Sequence, residues 1–472
     1  MSREKELVKN SFIISIGTFL PKLVSLVTLP IVSAGLTKAE YGTYDLITTM
    51  VSCVMPFITL QIHTAAFRFL VDARNNKLET EKIVSSLLFY IVSVSAVALV
   101  AVFFILQKLP VLMRLMICLY FFLDAFVFAM RQVVRGISKN VVYSVSTVVQ
   151  ALIEMALVVV SIKFANMGLI GLLLSFNIAF LASNAVLMIG GKLFSYVKIS
   201  RISKDEVIRM LKYSWPLVPT VLSDWVLSIS DRTVITAFIG IEATAVYGIA
   251  NKIPALLNLV KTTFTYAWQE NASLSSESSD KAEYYTSVFY SIKNIAVGAT
   301  AMLIAGTPIL FRIFIKGDYA EAYPQIPILF LGFFFSLLSA FYGGIYIANK
   351  KTVSMGVTTF VAALINLVID LLFIKLIGIY AASVSTVAGY LFLFVFRTVD
   401  LRKKYNMKLD GLKILPYIAV LIGMCVICWQ NTLILNGVNL VVGTVFCFII
   451  NKDLIFKVTG MLLKKLARIK KK

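Results

Sequence analysis

The residues of this chain that could do chemistry are charged side chains inside long apolar stretches. Lys22 lies in the first apolar run, and Arg232 and Lys252 lie in two later runs that follow each other. An ionisable side chain at membrane depth is costly, so it faces a cavity or a partner. Counting about 1.5 Å per residue from the turn between the two later runs places Arg232 and Lys252 at a similar depth. Arginine binds phosphate oxygens in pairs and lysine binds them as a point charge, so this pattern favours an anionic ligand such as a diphosphate.

Each of these cations also has a structural interpretation. Asp231 is next to Arg232, and Asp224 precedes Asp231 by two helical turns, so both acids are expected on one face. A lysine can also extend its side chain toward the membrane surface. Ligand binding and structural pairing therefore both stay open for Lys22, Arg232 and Lys252.

Acids at membrane depth have two interpretations as well: they load a proton or a cation, or they serve as counter-ions. These acids are Asp124, Glu154, Asp224, Asp231 and Asp370. No catalytic residues, resident metal site or cofactor are predicted. The chain has one histidine, its five cysteines lie in apolar runs, and it contains no G-x-x-x-x-G-K-[ST] phosphate loop.

Membrane-spanning helices must position these residues. The chain has 472 residues, of which 59% are hydrophobic and only 15% are charged, and its mean hydropathy is +0.88. Soluble domains average about 25% charged residues, so lipid must be the main solvent of this surface. Apolar runs of about 20 residues recur along the chain, and each can cross the bilayer core as a helix. The predicted spans, about fourteen in number, are 11–35, 42–66, 83–106, 111–130, 141–163, 168–190, 214–239, 244–268, 285–311, 325–348, 353–375, 379–398, 414–430 and 433–450.

The basic residues indicate the orientation of these spans. The net charge is +21, and most Lys and Arg residues concentrate in alternate short loops and in the tail after residue 450. That pattern is typical of cytoplasmic loops and of contact with anionic lipids, and it argues against a nucleic-acid partner. The sequence therefore predicts a multi-pass protein with both termini in the cytoplasm. Lys351 and Lys472 are expected inside and Lys316 outside.

An internal repeat divides the chain. Tyr41-Gly42 is matched by Tyr247-Gly248, and Ala151-Leu152-Ile153 is matched in the same order by Ala363-Leu364-Ile365. The repeat pairs spans 1–6 with spans 7–12, and its pseudo-two-fold axis would run along the membrane normal. The predicted domains are an N-terminal six-helix bundle at 1–200, a C-terminal six-helix bundle at 201–410, helices 13 and 14 at 411–450, and a basic cytoplasmic tail at 451–472.

The first hairpin resembles a known family. It reads Gly17-Thr18-Phe19-Leu20-Pro21-Lys22, then Leu29-Pro30, then Leu36-Thr37-Lys38-Ala39-Glu40-Tyr41-Gly42-Thr43-Tyr44. These stretches resemble bacterial polysaccharide (O-antigen) repeat-unit flippases of the Wzx type, in the multidrug/oligosaccharidyl-lipid/polysaccharide exporter superfamily. Asp231-Arg232 and Tyr247-Gly248 continue the resemblance in the second half of the chain.

The resemblance implies an all-α polytopic membrane protein. Two pseudo-symmetric six-helix bundles would form a V-shaped, MATE-like fold around a cationic cavity, with two further C-terminal helices. The implied function is not enzymatic: the protein would flip undecaprenyl-diphosphate-linked oligosaccharide across the bacterial inner membrane by alternating access. The product would feed O-antigen or capsule assembly, with a polysaccharide polymerase and chain-length proteins as expected partners.

Other functions stay open beside this one. A multidrug or cation antiporter of the same superfamily would favour an anionic cavity, whereas Lys22, Arg232 and Lys252 tilt the charge the other way. A membrane-embedded polysaccharide polymerase or glycosyltransferase would need a sizeable outer loop, and the outer loops here are short. A scaffold without transport activity would have no need of buried cations.

Overall fold

The structure, a computed structural model, describes residues 3–276, 278–349, 351–405, 407 and 411–469. These residues form helices joined by short turns, and no strand occurs among them. The α-helices are α1 (Arg3–Gly35), α2 (Lys38–Thr59), α3 (Ile62–Ala73), α4 (Lys77–Ile105), α5 (Val111–Gly136), α6 (Asn140–Val158), α7 (Gly168–Gly190), α8 (Lys204–Ser214), α9 (Val218–Ile229), α10 (Asp231–Phe238), α11 (Ile241–Lys252), α12 (Leu257–Leu274), α13 (Lys281–Phe314), α14 (Gln325–Ala348), α15 (Thr352–Ile377), α16 (Tyr380–Tyr405), α17 (Leu415–Gln430) and α18 (Leu433–Ile469).

The predicted spans coincide with helical segments. Within the described ranges, ten helices are long and apolar enough to cross a membrane, and the number rises to eleven if the pair α2–α3, bent by 56°, is one broken span. The bend falls at Leu60 and Gln61, which both have positive φ and end one helix before the next begins. The chain is therefore an all-α, multi-pass membrane protein, as the composition predicts.

The three remaining predicted spans are helical but interrupted or short. Span 214–239 is divided into α9 and α10, and span 244–268 is divided into α11 and α12. Span 414–430 is the shorter apolar helix α17. Arg232 and Lys252, two of the predicted site residues, lie on this interrupted pair.

Contacts within the chain define two compact units. Unit 1 comprises residues 1–225, 240–245 and 314–318, and unit 2 comprises residues 226–239, 246–313 and 319–472. The boundary between the units falls inside α9, whose Trp225 indole donates a hydrogen bond to the Ser52 hydroxyl of α2 at 3.0 Å. The sequence-based boundary at residue 200 falls earlier, before α8.

Unit 1 has an aliphatic core at one end of its helices. Ile62, Leu70, Val84 and Leu87 are fully buried there together with Met130 of α5. The helix α8 begins with a Ser203 cap and is held by Glu206, whose carboxylate lies 2.7 Å from the Arg209 guanidinium and 3.5 Å from the Lys82 ammonium. Hydrophobic burial thus fixes α3, α4 and α5, and ion pairs attach α8 to them.

Unit 2 has an aromatic core. Trp268 of α12 stacks on Phe341 of α14 with ring centroids 4.7 Å apart, and its indole nitrogen donates to the Phe341 carbonyl at 2.7 Å. Gly344 leaves the space for this ring, because a Cβ there would lie 2.4 Å from Trp268 Cδ1. Large rings bury much apolar area and prefer such offset contacts, so they fix α12 against α14.

Candidate functional site

Two helix breaks position the predicted cations of unit 2. The helix α9 ends at Ile229, Ser230 donates its hydroxyl to the Val226 carbonyl at 2.5 Å, and α10 begins at the next residue. The helix α11 ends at Lys252, shortly before Pro254, which has no N–H to continue a helical hydrogen-bond pattern. Discontinuous membrane helices present backbone dipoles at their ends and are typical of substrate and ion sites in transporters.

Arg232 and Lys252 stand at opposite ends of their helices. Arg232 is half-buried in the first turn of α10, where the helix dipole is positive and disfavours a further cation. Its neighbour Asp231 offsets part of that charge. Lys252 is half-buried at the last residue of α11, where the dipole is negative and stabilises it. A bound anion would therefore be favoured more strongly at Arg232 than at Lys252.

Lys22 lies in a different setting. It is exposed on α1, which continues as a helix through both of its prolines. Lys22 belongs to unit 1, whereas Arg232 and Lys252 both belong to unit 2. The structure thus brings two of the three predicted cations into one compact unit, and the role of Lys22 stays a prediction.

A buried carboxylate lies beside Arg232. Asp231 is 1% exposed, and its Oδ2 accepts hydrogen bonds from the Tyr247 hydroxyl of α11 and, at 2.8 Å, from the Thr386 hydroxyl of α16. Its Oδ1 has no hydrogen-bond partner among the residues that the structure describes. Two hydroxyl groups therefore bind one oxygen of this carboxylate, while Arg232 attracts its charge.

A second buried acid faces the first. Asp370 of α15 is fully buried, and its charge lies close enough to Asp231 for the two to repel. In the described part of the chain, neither Asp370 oxygen has a hydrogen-bond donor, and the same holds for Oδ1 of Asn366, one turn earlier. The Asn366 amide donates to the Ser385 hydroxyl at 3.1 Å and also interacts with the Asp231 carboxylate. We refer to Asp231, Asp370, Asn366, Tyr247 and Thr386 as the carboxylate cluster.

The carboxylate cluster holds two acids close together, and Arg232 attracts the charge of one of them, Asp231. Buried polar atoms are normally hydrogen-bonded, and two like charges in a low-dielectric interior raise each other's energy. A shared proton or a small oxygen-binding cation would satisfy the four unpartnered oxygen atoms. Within the described ranges, no three Asp, Glu, His or Cys side chains gather into a metal-ion cluster.

The other predicted acids are placed differently. Asp124 of α5 is half-buried, and Arg131 on the same helix attracts it electrostatically, which supports a counter-ion role. Glu154 is half-buried on α6. Asp224 is exposed on α9, whereas Asp231 is buried on α10. The two acids thus differ in burial, and the helix is divided at Ser230 between them; their sharing of one helical face stays a prediction.

Sequence reasoning missed three cations inside the membrane-spanning helices. Arg131 was assigned to a loop, but α5 continues to Gly136 and the Arg131 guanidinium donates to Gln150 at 2.6 Å. Lys293 is buried on α13, with its ammonium 4.3 Å from the centre of the Tyr417 ring. For Lys293, an isolated cation within an apolar run was the available signal; Arg131 follows directly after its apolar run.

Arg397 is the most extensively bound of these cations. It is buried on α16 and donates to the hydroxyls of Thr358 and Thr359, at 2.9–3.2 Å. It also donates to the carbonyl oxygens of Ser339 and Met355. The guanidinium thus joins α14, α15 and α16, and its donors are used by the protein fold.

Comparison with known proteins places this geometry in context. Residues 7–269, more than half of the chain, match the sequence profile of the family described as "Polysaccharide biosynthesis protein". A comparison with curated protein sequences gives no match. The fold is similar to that of the lipid II flippase MurJ in an inward closed conformation, with a TM-score of 0.71 and 15% identity over 94% of this chain and 100% of that chain.

Two further solved structures share the fold. One is an inward-facing multidrug resistance MATE family transporter of the MOP superfamily, with a TM-score of 0.67 and 13% identity over 85% of this chain and 100% of that chain. The other is a MOP superfamily transporter from Pyrococcus furiosus whose description reports a binding pocket of reverse polarity, with a TM-score of 0.59 and 12% identity over 84% of this chain and 95% of that chain. At these identities the likeness concerns the fold alone, and it confirms the expected all-α, MATE-like architecture.

Proposed function

We propose a transport function for this protein on one premise: the chain belongs to the polysaccharide biosynthesis protein family. Its membership confirms the family-level resemblance of the first hairpin. The protein, in our proposal, moves oligosaccharide repeat units linked to undecaprenyl diphosphate across the bacterial inner membrane, for O-antigen or capsule assembly. The observation that carries the proposal is this family match on a chain with the fold of a lipid II flippase.

The substrate's diphosphate would bind to the cations of the broken helices. Support comes from Arg232, which lies at the positive end of α10, and from Lys252, which lies directly before the break in α11. A diphosphate at Arg232 would receive charge-assisted hydrogen bonds from the guanidinium. Lys22 of unit 1 is a third candidate, and alternating access would expose the site to each side of the membrane in turn.

The carboxylate cluster would couple transport to an ion. Loading a proton or a cation between Asp231 and Asp370 removes the repulsion of two buried charges, and release restores it. Such a difference in energy can bias one conformation over another. Asp124, Glu154 and Asp224 are weaker coupling candidates, because Asp124 lies near Arg131 and Asp224 is exposed.

The proposed cellular setting follows from the charge pattern. The protein lies in the inner membrane with both termini in the cytoplasm, next to the enzymes that complete the lipid-linked units. Its product would pass to a polysaccharide polymerase and chain-length proteins on the outer side.

The decisive experiment is transport by the purified protein. Proteoliposomes containing an undecaprenyl-diphosphate oligosaccharide are expected to expose that lipid to an outside glycosidase in a protein-dependent way. Deletion of the gene should remove surface polysaccharide and accumulate the lipid-linked intermediate inside the cell. Exposure equal to that of protein-free liposomes, with a deletion strain that gains sensitivity to cationic drugs, would replace this proposal with the antiporter.

A further inference from the structure

Unit 1 contains an apolar cavity that the proposed transport function does not use. It has a volume of about 480 Å³ and lies between α2, α4 and α5. Its walls include Ile47 and Val51 of α2, Val102 and Leu106 at the end of α4, and Ile117 and Phe121 of α5. This volume lies within the range of small-ligand sites.

The side chains that line the cavity determine which kind of ligand it can bind. Apart from Lys108 and Thr43, the side chains that line the cavity are hydrocarbons or Met50. The Thr43 hydroxyl donates to the Ala39 carbonyl of its own helix at 2.7 Å, so it is already used. A polar ligand would lose its hydrogen bonds with water and gain few in return. The interior therefore accepts a hydrocarbon chain.

The mouth of the cavity carries a positive charge. Ile105 is 75% exposed at the rim, and Lys108 is exposed in the turn after α4. The predicted orientation places this turn at the outer surface of the membrane, level with lipid head groups. An ammonium group there complements a phosphate, and the apolar interior continues from it toward the bilayer core.

The cavity is open at its mouth, so molecules from the bilayer can enter it. An apolar cavity disfavours water and takes up apolar molecules. In a bilayer the apolar molecules at hand are lipid chains. The bilayer therefore supplies both the hydrocarbon and the phosphate that the cavity and its mouth require.

We propose that this cavity binds one acyl chain of an anionic membrane phospholipid, whose phosphate lies against Lys108. The undecaprenyl chain of the proposed substrate is several times longer than an acyl chain and would exceed the cavity. The phospholipid is thus a bound structural lipid of unit 1. This inference does not depend on the transport activity, since the site would be occupied in an inactive protein as well.

Photolabelling of the full-length protein tests this site. The probe is phosphatidylglycerol with a photoreactive diazirine in one acyl chain, and labelled peptides are mapped by mass spectrometry. We expect labels on residues 46–54 and 102–109, and we expect unlabelled phosphatidylglycerol to compete for them.

Val102→Trp fills the cavity and should lower this labelling on the order of tenfold, equivalent to about 1.4 kcal/mol of binding. Lys108→Glu, which leaves the cavity open, should lower labelling by the anionic lipid several-fold.

A matched variant separates cavity filling from a general effect of tryptophan. Val100 is exposed on α4 and does not line the cavity, because two residues along a helix point to different faces. Val100→Trp should therefore label like the unaltered protein. Equal labelling of Val100→Trp and Val102→Trp, both monodisperse, would overturn the proposal. So would displacement of the probe by an equal concentration of undecaprenyl phosphate, which would assign the cavity to the substrate chain.

Discussion

In unit 1 the helix that carries Lys22 runs without interruption through Pro21 and Pro30, whereas in unit 2 Arg232 and Lys252 stand at the ends of broken helices. The acids differ in the same way. Asp124 in unit 1 has Arg131 as an electrostatic partner, whereas Asp231 and Asp370 in unit 2 repel each other. Asp124 thus has an opposite charge on its own helix, whereas Asp231 has both Arg232 beside it and a second acid, Asp370, close by.

The difference shows how a broken helix changes the chemistry at membrane depth. A continuous helix satisfies its own backbone, so its surroundings can stay apolar, as in the cavity beside α4. At a break, backbone N–H and C=O groups lose their helical partners and the helix dipoles end. Polar side chains or ligands can then bind these groups. In our proposals, unit 2 accordingly binds the anion and the coupling ion, and unit 1 binds a hydrocarbon chain.

Loss of the unit 2 cations should have the largest effect. Each of Arg232→Gln and Lys252→Gln removes a charge-assisted contact of about 1.5–3 kcal/mol, so each should lower transport by about one to two orders of magnitude. The double variant should abolish surface polysaccharide while the protein level, measured by immunoblot, stays normal.

Two control variants make this result specific. Lys375→Gln removes a cation of α15 that takes no part in the proposed site, and transport should persist. Lys22→Gln tests unit 1, and we expect a loss of less than about tenfold from this exposed position. If Lys22→Gln alone abolished surface polysaccharide as the double variant does, unit 1 would be as necessary for transport as unit 2, and the comparison between the units would be wrong.

The helices could be predicted from the sequence because apolar length determines which segments cross a bilayer. The breaks could not all be predicted in the same way. Pro254 signals the interruption after Lys252, but Ser230 carries no comparable signal, and the division between α9 and α10 depends on packing. Arg131 was misplaced because the apolar run ends before the helix does.

The carboxylate cluster marks the limit of sequence reasoning. Asp231 and Asp370 were identified as costly acids, but nothing in their spacing indicates that they face each other. Their proximity depends on how α10 packs near α15 and α16, which bring Asp370 and Thr386 to one carboxylate. Tyr247 was noticed only as part of the repeat, and its hydroxyl proves to be a donor to Asp231.

Neutralising one acid of the carboxylate cluster should uncouple transport. Asp370→Asn keeps the side-chain shape and removes the repulsion between Asp231 and Asp370. The site should then no longer bind a proton or cation as part of the transport cycle. Flipping in proteoliposomes should continue down a substrate gradient but become indifferent to imposed pH, sodium or voltage gradients. For one charge moved through 100 mV, the lost bias is about 2.3 kcal/mol, or roughly fifty-fold.

The matched change in unit 1 is Asp124→Asn. Because Asp124 lies near Arg131, its loss should leave the response to the gradients in place. The reverse outcome, with gradient dependence lost in Asp124→Asn and kept in Asp370→Asn, would move the coupling site to unit 1.

The smallest effect concerns Arg131 of unit 1 and Arg397 of unit 2, whose replacement by lysine compares the stability of the two units. Lysine keeps the charge but has no planar fork, so Arg397→Lys should break several of the bonds to Thr358, Thr359 and the α14 and α15 carbonyls. We expect a loss of about 1–3 kcal/mol and an apparent melting temperature lower by several degrees.

Arg131→Lys should cost less, because Arg131 bonds to Gln150 and Ser183 and its buried Nε has no partner in the described residues. Thermal melting of both variants in one detergent measures the difference. A larger loss of stability for Arg131→Lys than for Arg397→Lys would contradict this expectation. It would show that the hydrogen bonds of Arg397 contribute less to stability than the interactions of Arg131.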